Sequence, residues 1–246
     1  MIPALRRQKM IDLLKEADFL FLPDLVSAMQ ISESTVRRDL KDLARNGEIE
    51  LLRGGGVRIP HKNMEMSINL KLQLHLQEKD AIAKAAARMI CAGDIVFLDP
   101  SSVNYLLIDH LNAEGITVVT NSITHMAKLL QADIHCIMIG GQIKKSTSSC
   151  LGPMAETMLR EMCFNKCFLG ANGVDRINGI TNHDPSEKSI KRIAIEHSAS
   201  TYFLIDSGKF GQAAMCRVAD VDECHILTDH IPDGYEDLPN LMEVPQ

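Results

Sequence analysis

The chain has 246 residues, 46% hydrophobic and 24% charged, with a formal net charge of −6. That length suits a small domain plus a larger one, and no apolar run approaches the ~18 residues of a membrane span, so a helical membrane protein is not expected. The seven cysteines contain no C-x-x-C pair and the N-terminus has no signal-peptide apolar region, which reads as a soluble, cytoplasmic chain with reduced thiols.

Charge is unevenly distributed. Residues 1–60 carry 10 Lys+Arg and 9 Asp+Glu, a net of +1, so the remainder carries −7. A local basic face matters for nucleic acid, not the total. In chain order, residues 5–17 read as a first helix with Ile11 and Leu14 on its apolar side and Leu5 and Met10 near it. Pro23 suits the first turn of a second helix, whose buried side is Leu25, Val26 and Met29. Ser32 reads as an N-cap whose hydroxyl accepts from the next turn's amides, and a third helix follows over residues 33–46, stopping at Gly47.

In that third helix Val36, Leu40 and Leu43 recur at i, i+4 and i+7 and bury one face. Ser34 and Thr35 lie in its first turn, where a recognition helix reaches base edges, and Arg37, Arg38, Lys41 and Arg45 occupy the other faces. Asp39, among the arginines, is read as orienting them or supporting helix packing. Residues 48–52, the run Arg53-Gly54-Gly55-Gly56 and residues 57–59 make a hairpin of wing type. Ser32, Ser34, Thr35, Arg37, Arg38, Lys41 and Arg53 are the candidate DNA-binding residues. Residues 1–58 are therefore expected to form a DNA-binding domain, 59–76 a polar linker and 77–246 a second domain.

In the second domain, short apolar runs at 95–98, 117–119, 135–139, 167–169 and 201–205 alternate with helical patterns at 81–90, 105–111, 122–130, 154–162 and 187–197. This alternation predicts an open α/β sheet with a parallel core, and such sheets bind ligands beyond the carboxyl ends of their strands. Cys163 and Cys167, four apart with no His at ligand spacing, read as small core side chains and not as a metal pair.

The quoted residues resemble a known family. Arg7-Gln8, Leu25, the run Ser32-x-x-Thr35-Val36-Arg37-Arg38-Asp39-Leu40, Leu43, Gly47 and the Gly54-Gly55 turn look like the DeoR family of bacterial transcription regulators. The likeness continues through Asp99 and its loop, Thr120-Asn121, Gly140-Gly141, Gly170-x-x-Gly173-x-Asp175, Gly179-x-Thr181, Glu187-x-x-x-Lys191 and Asp206-Ser207-x-Lys209-Phe210-Gly211. It implies a winged helix-turn-helix head that binds double-stranded operator DNA, usually as a repressor of carbohydrate-metabolism genes. It also implies a sensor similar in fold to ribose-5-phosphate isomerase that binds a phosphorylated sugar or related metabolite. The implied assembly is a homo-oligomer, a dimer or tetramer, with no cofactor and no metal.

Asp99, Ser101, Ser102, Asn104, Asn121, Gly141, Asp175, Glu187, Lys191 and Lys209 are the candidate effector-binding residues. The 101–104 loop supplies amides and hydroxyls for a phosphate, the two lysines supply charge, and the carboxylates can accept from sugar hydroxyls. Each also has a plainer role: Asp175 can close a turn, Gly141 can end a strand, and Glu187 with Lys191 can be a surface pair.

Two departures from the family pattern stand out. Arg53 replaces a His before the paired glycines, and Asp99-Pro100-Ser101-Ser102-Val103 replaces Asp-x-Gly-Thr/Ser-Thr. A sugar-phosphate isomerase-like enzyme and a pure oligomerisation module are the competing readings. A wing and a recognition helix have no use in an enzyme, and dimer packing would not need the exposed Arg37/Arg38 pair.

Overall fold

The computed structural model describes residues 2–17, 19–46, 48–52, 54–59 and 68–245, leaving aside the side chains of Glu16, Asn69 and Leu70. Gly47, Arg53 and residues 60–67, where a helix stop, a wing contact and part of a linker were expected, lie outside the described residues. The chain divides into two compact units, Met1–Leu74 and His75–Gln246.

The first unit contains α1 (Pro3–Glu16), β1 (Leu20–Phe21), α2 (Leu22–Met29), α3 (Glu33–Arg45), β2 (Glu50–Leu51), β3 (Gly56–Arg58) and α4 (Ile68–Gln73). Helix α4 falls in the stretch read as a polar connector. The helices pack because each presents one apolar stripe. Met10 and Leu14, Leu25 and Met29, and Val36, Leu40 and Leu43 meet in one core with Ile49 and Val57. Each such buried side chain contributes about 1.5–3 kcal/mol. Leu5 does not join this core and is 62% exposed. The strands form an antiparallel sheet in the order β1-β3-β2. Strand β1, only two residues long, is too short for alternation to reveal it.

The second unit runs α5 (Leu76–Ala87), β4 (Ile95–Leu98), α6 (Ser102–Leu107), β5 (Thr117–Thr120), α7 (Ile123–Gln131), β6 (Cys136–Met138), β7 (Gln142–Lys144), β8 (Ser149–Leu151), α8 (Pro153–Arg160), β9 (Phe164–Leu169), β10 (Gly173–Asp175), β11 (Gly179–Asn182), α9 (Pro185–Glu196), β12 (Ser198–Leu204), β13 (Cys216–Ala219), β14 (His225–Thr228) and β15 (Leu241–Glu243). Seven strands form a parallel sheet in the order β15-β14-β12-β9-β4-β5-β6. Strand β4 is a continuous apolar run, and β9 and β12 become apolar and buried toward their carboxyl ends, as strands covered on both faces do.

One face of this sheet packs with α8 and α9 through Leu159, Ile190 and Ala194, and the other with α5 and α6 through Ile82, Val103 and Leu107. Strand order therefore reverses between β9 and β4, and the helices that follow these two neighbours cover opposite faces. That is a topological switch point, where the carboxyl ends of two strands leave a crevice. The β7/β8 hairpin and the separate β10-β11-β13 sheet were not anticipated, because their strands are three or four residues long and largely polar. Cys167 is buried within β9, but Cys163 is exposed just before it, so only one of the pair is a core side chain.

Candidate DNA interface and strand-end site

In the first unit, helix α3 offers one polar face. At about 100° per residue, Ser34, Arg37, Arg38, Lys41 and Arg45 fall within one arc of roughly 100°, opposite Val36, Leu40 and Leu43. All five are exposed. Their partners differ. Arg37 is held by Glu33 at 2.8 Å, and Arg45 approaches Asp42 at 3.9 Å. Arg38 and Lys41 form no hydrogen bond or ion pair among the described residues. The helix thus holds two uncommitted cations side by side.

Asp39 is buried on the other side of the helix. Its carboxylate takes Arg6, with Nη2 at 3.0 Å, and Arg7 Nε at 3.3 Å, while Arg7 Nη2 reaches Asp42 at 2.8 Å. The Arg6 hydrogen bond, joined by Arg7, outweighs desolvation and holds the Asp39 carboxyl below its ordinary value. Asp39 therefore orients arginines, as expected, but those of α1 and not its neighbours in α3. It ties α1 to the recognition helix, and this explains why the Arg7 motif residue belongs with the α3 motif.

Ser32 occupies the N-cap position with extended backbone, φ −62° and ψ 142°, but its hydroxyl accepts no helix amide. It bonds the hydroxyls of Thr35 at 2.8 Å and Ser34 at 3.2 Å. The expected cap is therefore absent, because neighbouring hydroxyls compete for the oxygen. Ser32→Ala is accordingly expected to cost under about 0.5 kcal/mol of stability in a urea melt, against about 1 kcal/mol for a lost cap.

The turn between β2 and β3 is built on Gly54 and Gly55, at φ +96° and +84°, a region where a side chain is strained. The Gly55 carbonyl accepts from Leu22 N at 3.1 Å, which anchors the turn to α2. Across the strands Arg58 is paired with Glu50 at 2.7 Å. A groove of about 280 Å3 between α3 and this hairpin is lined by Leu40, Leu51 and Val57, with Arg37 and Lys41 also at its walls.

In the second unit, the carboxyl ends of β4 and β9 meet at Asp99, which is 1% exposed. Its Oδ2 accepts from Gly170 N at 2.9 Å and pairs with Lys191, and its Oδ1 accepts from Ser101 N at 3.1 Å and Asn104 Nδ2 at 2.8 Å. Burial opposes the charge, but Lys191 and the surrounding hydrogen bonds outweigh it and keep the carboxyl below its ordinary value. Lys191 also donates to the Gly170 carbonyl at 2.9 Å. A side chain at Gly170 would collide with Ser101, so the two strand ends approach as closely as glycine permits.

The 101–104 loop is not an open phosphate cradle. Ser101 Oγ caps α6 by accepting from Asn104 N at 3.3 Å, and the Ser101 amide is committed to Asp99. Ser102 is buried, and Val103, where the family pattern has a hydroxyl, packs into the core.

Glu187 and Lys191 are one turn apart but do not pair with each other. Glu187 accepts from Lys144 at 3.1 Å, Thr147 Oγ1 at 3.0 Å and Asn182 Nδ2 at 2.6 Å. Asp184 caps α9 by accepting from Ser186 N at 2.7 Å, and it also holds Lys144 at 2.9 Å. Asn121 donates to the Cys150 carbonyl at 3.0 Å. Lys209 lies 3.6 Å from Asp206, a buried carboxylate at the end of β12.

Two candidates have structural roles here. Asp175 Oδ1 closes the β10/β11 turn, accepting from Asn178 N at 2.8 Å and Ile177 N at 3.0 Å, and none of its bonds goes to the strand-end cluster. Gly141 sits where a Cβ would lie 2.5 Å from the Leu151 carbonyl, so it permits the β7/β8 hairpin.

His125, in the first turn of α7, was not expected. It is fully buried, and burial pushes its pKa down from 6.5 to about 4, against the pull of Asp99. Only its place four residues after Asn121 hinted at it. Between pH 6.5 and about 4 the unfolded chain binds a proton that the native chain refuses. The His125 contribution to stability is therefore fully present above pH 6.5 and is lost, by about 3 kcal/mol, as pH drops through that window. Urea melts from pH 4.5 to 7.5 should show this slope, and His125→Leu should flatten it.

Comparison with known proteins places the chain. Residues 74–230 match the DeoR C terminal sensor domain, and residues 6–62 match the DeoR-like helix-turn-helix domain. The HTH-type transcriptional regulator IolR of Bacillus subtilis is 32% identical over 93% of this chain and 91% of its own. The HTH-type regulator GlpR of Haloferax volcanii is 28% identical over 99% and 95%. A lactose phosphotransferase system repressor of Staphylococcus epidermidis is 29% identical over 84% of each. Among solved structures, a D-ribose-5-phosphate isomerase in complex with phospho-erythronic acid aligns at 17% identity and a TM-score of 0.42, covering 55% of this chain. The chain spans about half the length of that structure, 54%. With both domain models matched in order and relatives aligned along nearly its whole length, the chain belongs to the DeoR family of helix-turn-helix transcriptional regulators.

Proposed function

We propose that this regulator is an operator-binding repressor of carbohydrate-metabolism genes, whose DNA affinity is set by a phosphorylated sugar or related metabolite. The observation that carries the DNA half is the exposed face of α3, where Arg38 and Lys41 stand uncommitted beside Ser34. Thr35 and Ser32 extend that face at the helix start, and Arg53 of the wing belongs to the same proposal. The sensor half is supported by the polar network at the switch point of the sheet, where Asp99, Ser101, Asn104 and Lys191 are joined by hydrogen bonds; Ser102, Asn121, Glu187 and Lys209 belong to the same proposal. An enzyme reading is weakened by the same geometry, since Asp99 and Lys191 are committed to each other.

Two recognition helices in a homodimer or tetramer would match a repeated or palindromic operator. Effector binding shifts operator affinity only by the difference in its own affinity for the two states. The test is operator binding by the full chain to the promoter regions flanking its own gene, with and without a panel of sugar phosphates. Specific binding that a sugar phosphate weakens at least about fivefold is expected. Specific binding that no sugar phosphate alters would remove the sensor half.

A further inference from the structure

Where β4 and β5 end, three buried side chains keep atoms with no hydrogen-bond partner among the described residues. These are Asn104 Oδ1, Asn121 Oδ1 and both ring nitrogens of His125. Asn104 opens α6 and Asn121 follows β5, while His125 lies in the first turn of α7, its ring 5.8 Å from that of Tyr105 in α6. The Ser101 backbone faces the imidazole without completing a bond of normal geometry. Native interiors rarely leave such groups unsatisfied, and here three follow the neighbouring strands β4 and β5.

The free atoms have a definite chemistry. The amide nitrogens of Asn104 and Asn121 are already committed to Asp99, to the Phe168 carbonyl at 2.7 Å and to the Cys150 carbonyl. What remains is two carbonyl acceptors and a neutral imidazole with one donor and one acceptor. The donors that converge on Asp99 are occupied: Ser101 N, Gly170 N and Lys191 all serve its carboxylate. A phosphate dianion brings acceptors only, whereas each hydroxyl brings a donor and an acceptor.

We infer that the β4/β5 end of the sensor is a polyol subsite, in which Asn104, Asn121 and His125 read the hydroxyl pattern of a sugar and not its phosphate. This rests on the sensor reading above and adds the part of the ligand that this end of the sheet recognises. His125 fixes one hydroxyl through its ring, and the two asparagine carbonyls each accept from a neighbouring hydroxyl. The subsite is closed in this form, so ligand entry parts the first turns of α6 and α7.

The test uses the full chain in thermal-shift and calorimetric titrations. The probes are hexose and pentose phosphates, their monodeoxy analogues, the parent sugars and inorganic phosphate. For the tightest sugar phosphate, removing one hydroxyl should weaken wild-type binding at least about tenfold. In His125→Leu that ratio should fall to about threefold or less, while inorganic phosphate affects both proteins equally. Unliganded operator binding verifies that the variant is folded, and His125→Asn, which keeps a donor and an acceptor, should restore part of the discrimination.

An unchanged ratio in a folded variant overturns the subsite and leaves the sensor reading intact; these nitrogens would then face only ordered water. Loss of inorganic phosphate binding in His125→Leu overturns it in favour of a phosphate site. If no sugar phosphate binds the wild type, the sensor reading falls and the subsite falls with it.

Discussion

Replacing Lys191 by methionine will destabilise the sensor unit by about 3–5 kcal/mol, because it leaves the Asp99 carboxylate buried without its counter-ion. Both side chains are nearly inaccessible, at 6% and 1% exposure, so water cannot replace the lost partner. Desolvating an unpaired charge is far more costly than removing a surface pair, which is worth at most about 1 kcal/mol. Against a typical domain stability of about 5–15 kcal/mol, the loss is large enough to appear as reduced soluble yield.

The double change Asp99→Asn with Lys191→Met should recover much of the loss, since it removes the stranded charge. Denaturant melts of the four proteins in the cycle measure this. A single variant within about 1 kcal/mol of wild type would show that the pair is solvated and not buried.

Arg38→Ala will weaken operator binding by about 1–3 kcal/mol, or roughly five- to 150-fold, without affecting the fold. Arg38 is exposed and uncommitted, so its removal breaks no contact within the head. Arg37→Ala should cost less affinity, because Glu33 already holds that guanidinium and must release it to DNA. The salt dependence separates the roles. If Arg38 or Lys41 holds phosphate, alanine lowers the slope of log affinity against log salt by about one unit; a base contact loses specificity at one position instead. Filter binding or fluorescence anisotropy at several salt concentrations reads both. Unaltered affinity in Arg38→Ala and Lys41→Ala together would remove this face of α3 from the interface.

The sequence revealed most where one physical signal dominated. Helix α3 was legible because apolar residues at i, i+4 and i+7 leave the basic ones on the opposite arc. Strands β4, β5 and β12 were legible because buried parallel strands carry short runs of β-branched, aromatic and aliphatic residues. What stayed hidden depends on tertiary contact. Nothing local distinguishes Ser32, whose hydroxyl turns to Ser34 and Thr35, from Ser122, whose hydroxyl caps α7. The family spacing of Glu187 and Lys191 suggested a pair one turn apart, but each is drawn to a different strand end. His125 could not be weighed from sequence, since a single histidine in an amphipathic helix looks the same whether its ring meets solvent or is buried beside Tyr105.

The pairing of β4 with β9 also bears on how the sensor assembles. Val96 aligns with Lys166, and Asp99 meets Lys191, which is 92 residues away. Contacts of such sequence separation incur their loop-closure entropy before they return any stabilisation, and they slow folding. The head, by contrast, is built from helices that pack against near neighbours in sequence, and it leaves the ribosome first. A growing chain therefore carries a complete α3 long before Lys191 exists to neutralise Asp99, and a product truncated before that residue keeps the exposed basic face of α3 with a buried Asp99 that has no counter-ion.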